Sequence, residues 1–151
     1  LGVNSHFEKN NLILKKENIS LPKCIKWDLS KAPDIAQTIA VSCYGLGVAC
    51  DLEGLHTLKI KETDRLVALD TELSKLGAKI SVTDKSLHLA SDQDFQKGIT
   101  ISTYNDHRMA MAFAPLALKI PLSVKKAEVV SKSYPSFWED LNSLDFKIDK
   151  I

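Results

Sequence analysis

The sequence predicts an α/β domain (α+β in stricter usage) built from a repeated unit of roughly 70 residues. Three correspondences carry that prediction. Leu1-Gly2-Val3 through Lys15 matches Leu76-Gly77-Ala78 through Ala90. Pro33-Asp34 ahead of one apolar run matches Asn105-Asp106 ahead of another. Lys61 and Lys132 each close a short segment that leads into a helix. The two copies occupy about residues 1–75 and 76–151 of one domain, 1–151.

Each copy opens on Leu-Gly, the pattern of a helix end followed by its glycine cap. Alternating residues follow, Val3, Ser5 and Phe7 in one copy and Ala78, Ile80 and Val82 in the other. Polar turns at 8–11 and 83–86 lead to second strands carrying Leu12 and Leu14, or Leu87 and Leu89. That is a β-hairpin, twice. Asp34 and Asp106 then stand where a helix N-cap would accept first-turn amides, ahead of helices at 35–45 and 109–118. Both helices are apolar nearly all round and should be buried, with Pro115 kinking or ending the second. Short strands at 47–52 and 121–124 follow, then strands ending at Lys61 and Lys132. A helix at 63–76 carries the stripe Leu66, Leu69, Leu73, Leu76. The last helix, 135–144, has Pro135 in its first turn, and a further strand is expected at 145–148. A chain that opens on a helix tail, without Met, reads as a piece of something larger.

The 151 residues include 20 basic and 19 acidic side chains, a net charge of +1, and are 44% hydrophobic. That composition is ordinary for a soluble globular domain and excludes disorder, collagen and coiled coil. A nearly neutral chain lacks the footprint expected for nucleic acid or an anionic membrane, and no apolar run is long enough to span a bilayer. Cys24, Cys43 and Cys50 make no Cys-x-x-Cys pair, which suits reduced thiols in a cytoplasmic protein. His6, His56 and His88 show no metal-ligand spacing. Trp27, Trp138 and Tyr134 are expected to fill core or rim.

Arginine usage is the informative signal. Arg65 and Arg108 are the only arginines, and both fall in the first turn of a predicted helix. A guanidinium offers bidentate donors to phosphate or carboxylate, and helix starts favour anions. The plainer reading is a solvated ion pair with a neighbouring Asp, which contributes little. Repetition argues for the first, because equivalent junctions converge. Asp34 and Glu62 could serve as general base or proton shuttle beside these cations, or simply as a cap and a surface residue. His107 could donate a proton or be a polar helix start. From the residues alone this is a repeat-built α/β domain with a candidate anion site.

The run Leu58-Lys59-Ile60-Lys61-Glu62-Thr63-Asp64-Arg65-Leu66 resembles a signature of the 3-phosphoshikimate 1-carboxyvinyltransferase (EPSP synthase) family. Asn105-Asp106-His107-Arg108-Met109-Ala110-Met111 resembles its second signature, and Pro33-Asp34 and Ser131-Lys132-Ser133-Tyr134-Pro135 match two further blocks in family order. The resemblance implies the C-terminal part of such an enzyme. Its domain is an inside-out α/β barrel of three β-α-β-α-β-β units, about two of them present here. It implies transfer of the enolpyruvyl group of phosphoenolpyruvate to the 5-hydroxyl of shikimate 3-phosphate, through a tetrahedral intermediate that expels phosphate, on the route to chorismate and the aromatic amino acids.

By the same resemblance Asp34 contacts that hydroxyl as base, and Glu62 moves a proton at the methylene carbon. Arg65, Arg108 and Lys132 hold phosphoenolpyruvate, with His107 adjacent as a further catalytic group. Lys61 helps Asp34 hold shikimate 3-phosphate; Thr57 stands where the family often carries a contacting Asn. Glyphosate would compete with phosphoenolpyruvate. No cofactor and no metal is implied, and the whole protein would be a cytoplasmic monomer. The family's N-terminal Lys-Ser block and N-domain arginines are absent, so this chain should hold half a site, inactive without the missing N-terminal domain. Two other readings compete: a non-catalytic phospho-ligand-binding module, and an enolpyruvyl transferase acting on a UDP-sugar. A cut barrel would also leave an uncovered apolar face prone to self-association.

Overall fold

The computed structural model describes residues 1–92 and 94–150. Two parallel strand pairs organise it. Strands β3 (Cys24–Asp28) and β4 (Ala49–Glu53) are parallel, joined by a 3₁₀ turn (Pro33–Ile35) and helix α1 (Ala36–Leu46). Strands β7 (Thr100–Ser102) and β8 (Ser123–Lys125) are parallel too, joined by helix α3 (His107–Phe113) and a 3₁₀ segment (Ala114–Leu118). Parallel neighbours need such a crossover, which carries the chain back to its starting edge.

After β4 come a 3₁₀ segment (His56–Ile60), helix α2 (Arg65–Lys75) and the hairpin β5 (Ile80–Val82)–β6 (Leu87–Leu89). The hairpin adds to the same sheet, in the order β3-β4-β6-β5. Residues 24–89 thus form one closed β-α-β-α-β-β unit, in which the hairpin comes last. After β8 come a second 3₁₀ segment (Ala127–Lys132) and helix α4 (Phe137–Ser143). The first hairpin, β1 (Val3–Glu8) with β2 (Asn11–Lys16), is a separate two-stranded sheet.

Register explains the core. Ile25, Cys50, Leu89 and Ile80 lie in one cross-strand row, and this row faces the helices, with Cys50 and Leu89 fully buried. The next row, Lys26, Asp51, His88 and Ser81, faces outward, as strand alternation requires. The α2 stripe of Leu66, Leu69, Leu73 and Leu76 is buried at 0–1% exposure. Helix α1 buries eight of its 11 residues, Tyr44 among them. Gly45 lets α1 approach the second crossover, since a Cβ there would lie 2.9 Å from the Leu116 side chain. Cys24, Cys43 and Cys50 are free. No helix among the described residues is long and apolar enough to cross a membrane.

Several elements differ from expectation. The segments ending at Lys61 and Lys132 are 3₁₀ helices and not strands. Val129 and Val130 are adjacent and both buried, which a strand covered on one face only cannot achieve. Leu55 and Leu58 are both at 0% exposure, three apart, which is the 3₁₀ period. Of the two outcomes expected at Pro115, ending α3 is the one observed, and the expected helix over 109–118 continues past Phe113 only as a 3₁₀ segment. Pro135 lies outside α4, whose N-cap is Ser136. Residues 145–148 form no strand; Asp145 sits at φ 67° just beyond α4. Strands β3 and β7 were not anticipated. Trp27 is 46% exposed and Tyr134 39%, both at the rim.

Candidate active site

Three chain segments converge where the crossovers begin. Asp34 lies inside the 3₁₀ turn before α1, Arg65 is the first residue of α2, and Arg108 is the second of α3. Helix α2 starts where Asp64 accepts from the amides of Leu66 and Val67 at 3.1 and 3.2 Å. Helix α3 starts where Asp106 accepts from the Arg108 amide at 2.9 Å. Both capping carboxylates satisfy amides that the helix leaves without partners. Asp34, expected to cap α1, makes no such bond; cations surround its carboxylate instead.

Arg65 is the centre of the cluster, its side chain 2% exposed. Nε donates to Asp106 Oδ2 at 2.6 Å, Nη1 to Asp34 Oδ1 at 2.8 Å, and Nη2 to Glu62 Oε2 at 2.7 Å. Nη2 also reaches Asp106 Oδ1 at 3.4 Å. A guanidinium removed from water requires such saturation, and its planar fork can serve three carboxylates at once. Arg108 donates from Nη1 to the Asp34 carbonyl at 3.1 Å and approaches Asp34 Oδ2 at 3.5 Å. Lys61 stands 3.4 Å from Asp34 Oδ1. The three carboxylates of Asp34, Glu62 and Asp106 balance the three cations Arg65, Arg108 and Lys61.

Burial pushes the Asp34 carboxyl up, but Arg108, Lys61 and Arg65 together outweigh it and hold the group below its ordinary value. Asp34 is therefore an ionised acceptor at neutral pH. Its side chain stays 37% exposed, as do those of Glu62 at 39% and Arg108 at 38%. The accessible rim thus holds two carboxylates, one arginine and Lys61 above a buried Arg65.

Lys132 reaches the same neighbourhood, donating to the Asn105 carbonyl at 2.8 Å. His107 is half-buried beside Arg108, with its Nδ1 enclosed and without a protein partner. The enclosed Thr57 hydroxyl likewise has none, and no hydrogen bond joins it to the cluster. Among the described residues no group of three or more His, Cys, Asp or Glu could hold a metal. Two participants escaped the sequence reading. Asp106 was visible only as a cap, though its carboxylate, at 0% exposure, also anchors Arg65. Gln37 on α1 is also fully buried, its Nε2 3.5 Å from Asp106 Oδ2. A helix-start Asp separated from a lone Arg is no signal of pairing; only the fold brings them together.

The model of one protein family, EPSP synthase (3-phosphoshikimate 1-carboxyvinyltransferase), matches residues 2–141. The chain belongs to the EPSP synthase family. A 3-phosphoshikimate 1-carboxyvinyltransferase of Bacteroides fragilis is 42% identical over 152 residues, covering 98% of this chain and 37% of that relative. One from Clostridium kluyveri is 37% identical across 95% of this chain and 33% of its own length. The chain therefore spans about a third of the length of these EPSP synthase relatives. Its fold matches the solved EPSP synthase of Acinetobacter baumannii with a TM-score of 0.76, over 93% of this chain and 35% of that one. At 22% identity that likeness concerns the fold alone, the inside-out α/β architecture.

Proposed function

We propose that this chain supplies half of an enolpyruvyl-transfer site, moving the enolpyruvyl group of phosphoenolpyruvate onto the 5-hydroxyl of shikimate 3-phosphate. The observation that carries the reading is Asp34, an ionised and accessible carboxylate held among Arg108, Lys61 and Arg65. Asp34 accepts the hydroxyl proton as the oxygen attacks C2 of phosphoenolpyruvate. Glu62 delivers a proton to the neighbouring methylene carbon as that bond forms and takes one back when the adduct collapses. The tetrahedral adduct then loses that proton and expels phosphate as its C–O bond breaks. Arg108 and Lys132 meet the phosphoenolpyruvate anion first, because Arg65 is already occupied and must yield a carboxylate to join them. Lys61 faces shikimate 3-phosphate, whereas the Thr57 hydroxyl is enclosed and would have to be uncovered to reach it, and His107 assists beside Arg108. Two polyanions repel, so clustered cations are needed to bring them together.

The other half of the site comes from the stretch of the relatives that these residues do not match. In this reading the complete protein is a cytoplasmic monomer. Phosphate release from both substrates tests it, with the chain alone and with the unmatched portion of the Bacteroides fragilis relative added. The chain alone is expected to be silent and the combination active, with phosphate release inhibited by glyphosate in competition with phosphoenolpyruvate. Asp34→Ala in the active combination should lower kcat by about 10²-fold or more. Silence from a folded, associated combination would favour a phospho-ligand-binding module.

A further inference from the structure

A buried acid outside the cation cluster has its own network. Glu72, on the inward side of α2, has a side chain at 0% exposure. A carboxylate withdrawn from water is tolerated only when its lone pairs are satisfied. Lys75 Nζ donates to its two oxygens at 2.7 and 2.8 Å. The Ser102 amide donates to Oε2 at 3.1 Å and the Tyr104 hydroxyl to Oε1 at 2.6 Å. Two of these donors belong to the end of β7 and to the turn that leads into α3.

That turn is strained. Tyr104 and Asn105 are consecutive non-glycine residues in the left-handed region, at φ 56° and 58°. Such conformations persist only when the surroundings over-determine them, and they gather at functional sites. On the far side of the turn, Lys126 donates to Asn105 Oδ1 at 3.2 Å and Lys132 to the Asn105 carbonyl at 2.8 Å. Directly after it come Asp106, His107 and Arg108. Helix α2 is therefore tied to the start of α3 twice, by Arg65 to Asp106 at one end and by Glu72 to Tyr104 two turns further on. One tie leaves a pivot; two fix rotation and slide together.

We propose that Glu72 and Tyr104 are a positioning pair, locking the strained Tyr104–Asn105 turn so that Arg108 stands correctly against Asp34 and Lys132 is held at the Asn105 carbonyl. Neither touches the cation cluster; both act through the turn. Burial, followed by the bond to Glu72, pushes the Tyr104 phenol up to about 12, so it stays a donor through the working pH range.

Tyr104→Phe removes one hydroxyl and keeps the ring; Glu72→Gln keeps the shape and an acceptor without the charge. Amide hydrogen exchange of the 151-residue chain reads the turn directly. In Tyr104→Phe the amides of Asp106, Arg108 and Met109 should exchange about tenfold faster, while those of Leu69 and Leu73 in α2 stay unchanged. Unchanged exchange at 106–109, or a uniform increase through α2, overturns the proposal. The kinetic arm rests on the proposed function and uses the combined halves. Both variants should raise KM for phosphoenolpyruvate, about tenfold for Tyr104→Phe, and leave KM for shikimate 3-phosphate and kcat within about twofold. A fall in kcat with both KM values unchanged overturns it as well. If the unmodified combination shows no turnover, the functional reading fails, and hydrogen exchange alone decides the bracing.

Discussion

Asp34 shows how far the chemistry of one residue depends on its surroundings. Along the chain it is an Asp before an apolar helix, the usual mark of a cap; in the fold its oxygens face Arg65, Arg108 and Lys61. Its carboxyl is held low in the folded state, so the unfolded chain binds its proton more readily. The stabilising effect is present in full above the ordinary value of 3.8 and disappears as pH falls through the folded value. Urea unfolding from pH 6 down to about pH 3 should show stability falling with acid, and Asp34→Asn should flatten that decline. An equal decline in the variant would assign it to other carboxylates, Asp51 and Asp28 being held low as well. Arg65 and Arg108 were legible as helix-start cations, but the burial of one and the exposure of the other were not.

At the scale of elements, buried helices and hairpins were readable because their periods are long or their turns distinctive. The α2 stripe, the two hairpins and the end of α3 at Pro115 followed from spacing and backbone chemistry. Strand β7 has only three residues, and β3 has one buried side chain, Ile25; parallel partners distant in sequence decide both. The glycine after α2 was predicted as a cap, and Gly77 indeed lies at φ 95°, closing the helix. A Cβ there would meet the Asp94 carbonyl oxygen at 2.0 Å, whereas at Gly2, φ 80°, nothing lies nearer than 3.6 Å. Gly77→Ala should therefore cost roughly 2–5 kcal/mol, from backbone strain and a clash that backbone cannot easily avoid. Gly2→Ala, with strain alone, should cost about 1 kcal/mol. Thermal unfolding of both variants checks the contrast; equal shifts would remove the role of the Asp94 contact.

At the scale of the whole molecule, the first hairpin presents an apolar face. Register places Phe7 opposite Leu12 and Ser5 opposite Leu14, with Val3 on the same face of the first hairpin. Val3, Phe7, Leu12 and Leu14 are 53–78% exposed. A contiguous patch of this kind favours association, so the isolated chain should self-associate with rising concentration in sedimentation. Replacing Phe7 and Leu14 by Lys should return it to monomer. A monomer at every concentration would show that hydration of the polar opposite face suffices. The second hairpin has shorter strands, three residues each, and packs against α2 and β4, so a similar alternation of apolar residues leads to opposite burial.

The sequence by itself determined the α/β class, the buried helices, the α2 stripe, the two helix-start arginines and the family. All are properties of residues near one another along the chain, where periodicity and caps act. Only the tertiary structure decided that Arg65 would be enclosed by carboxylates 31 and 41 positions away, and that Glu72 would grip the turn before α3. Those pairings depend on where each crossover returns the chain. A buried charge accepts only the few geometries that satisfy it, and no local pattern encodes which distant partner provides them.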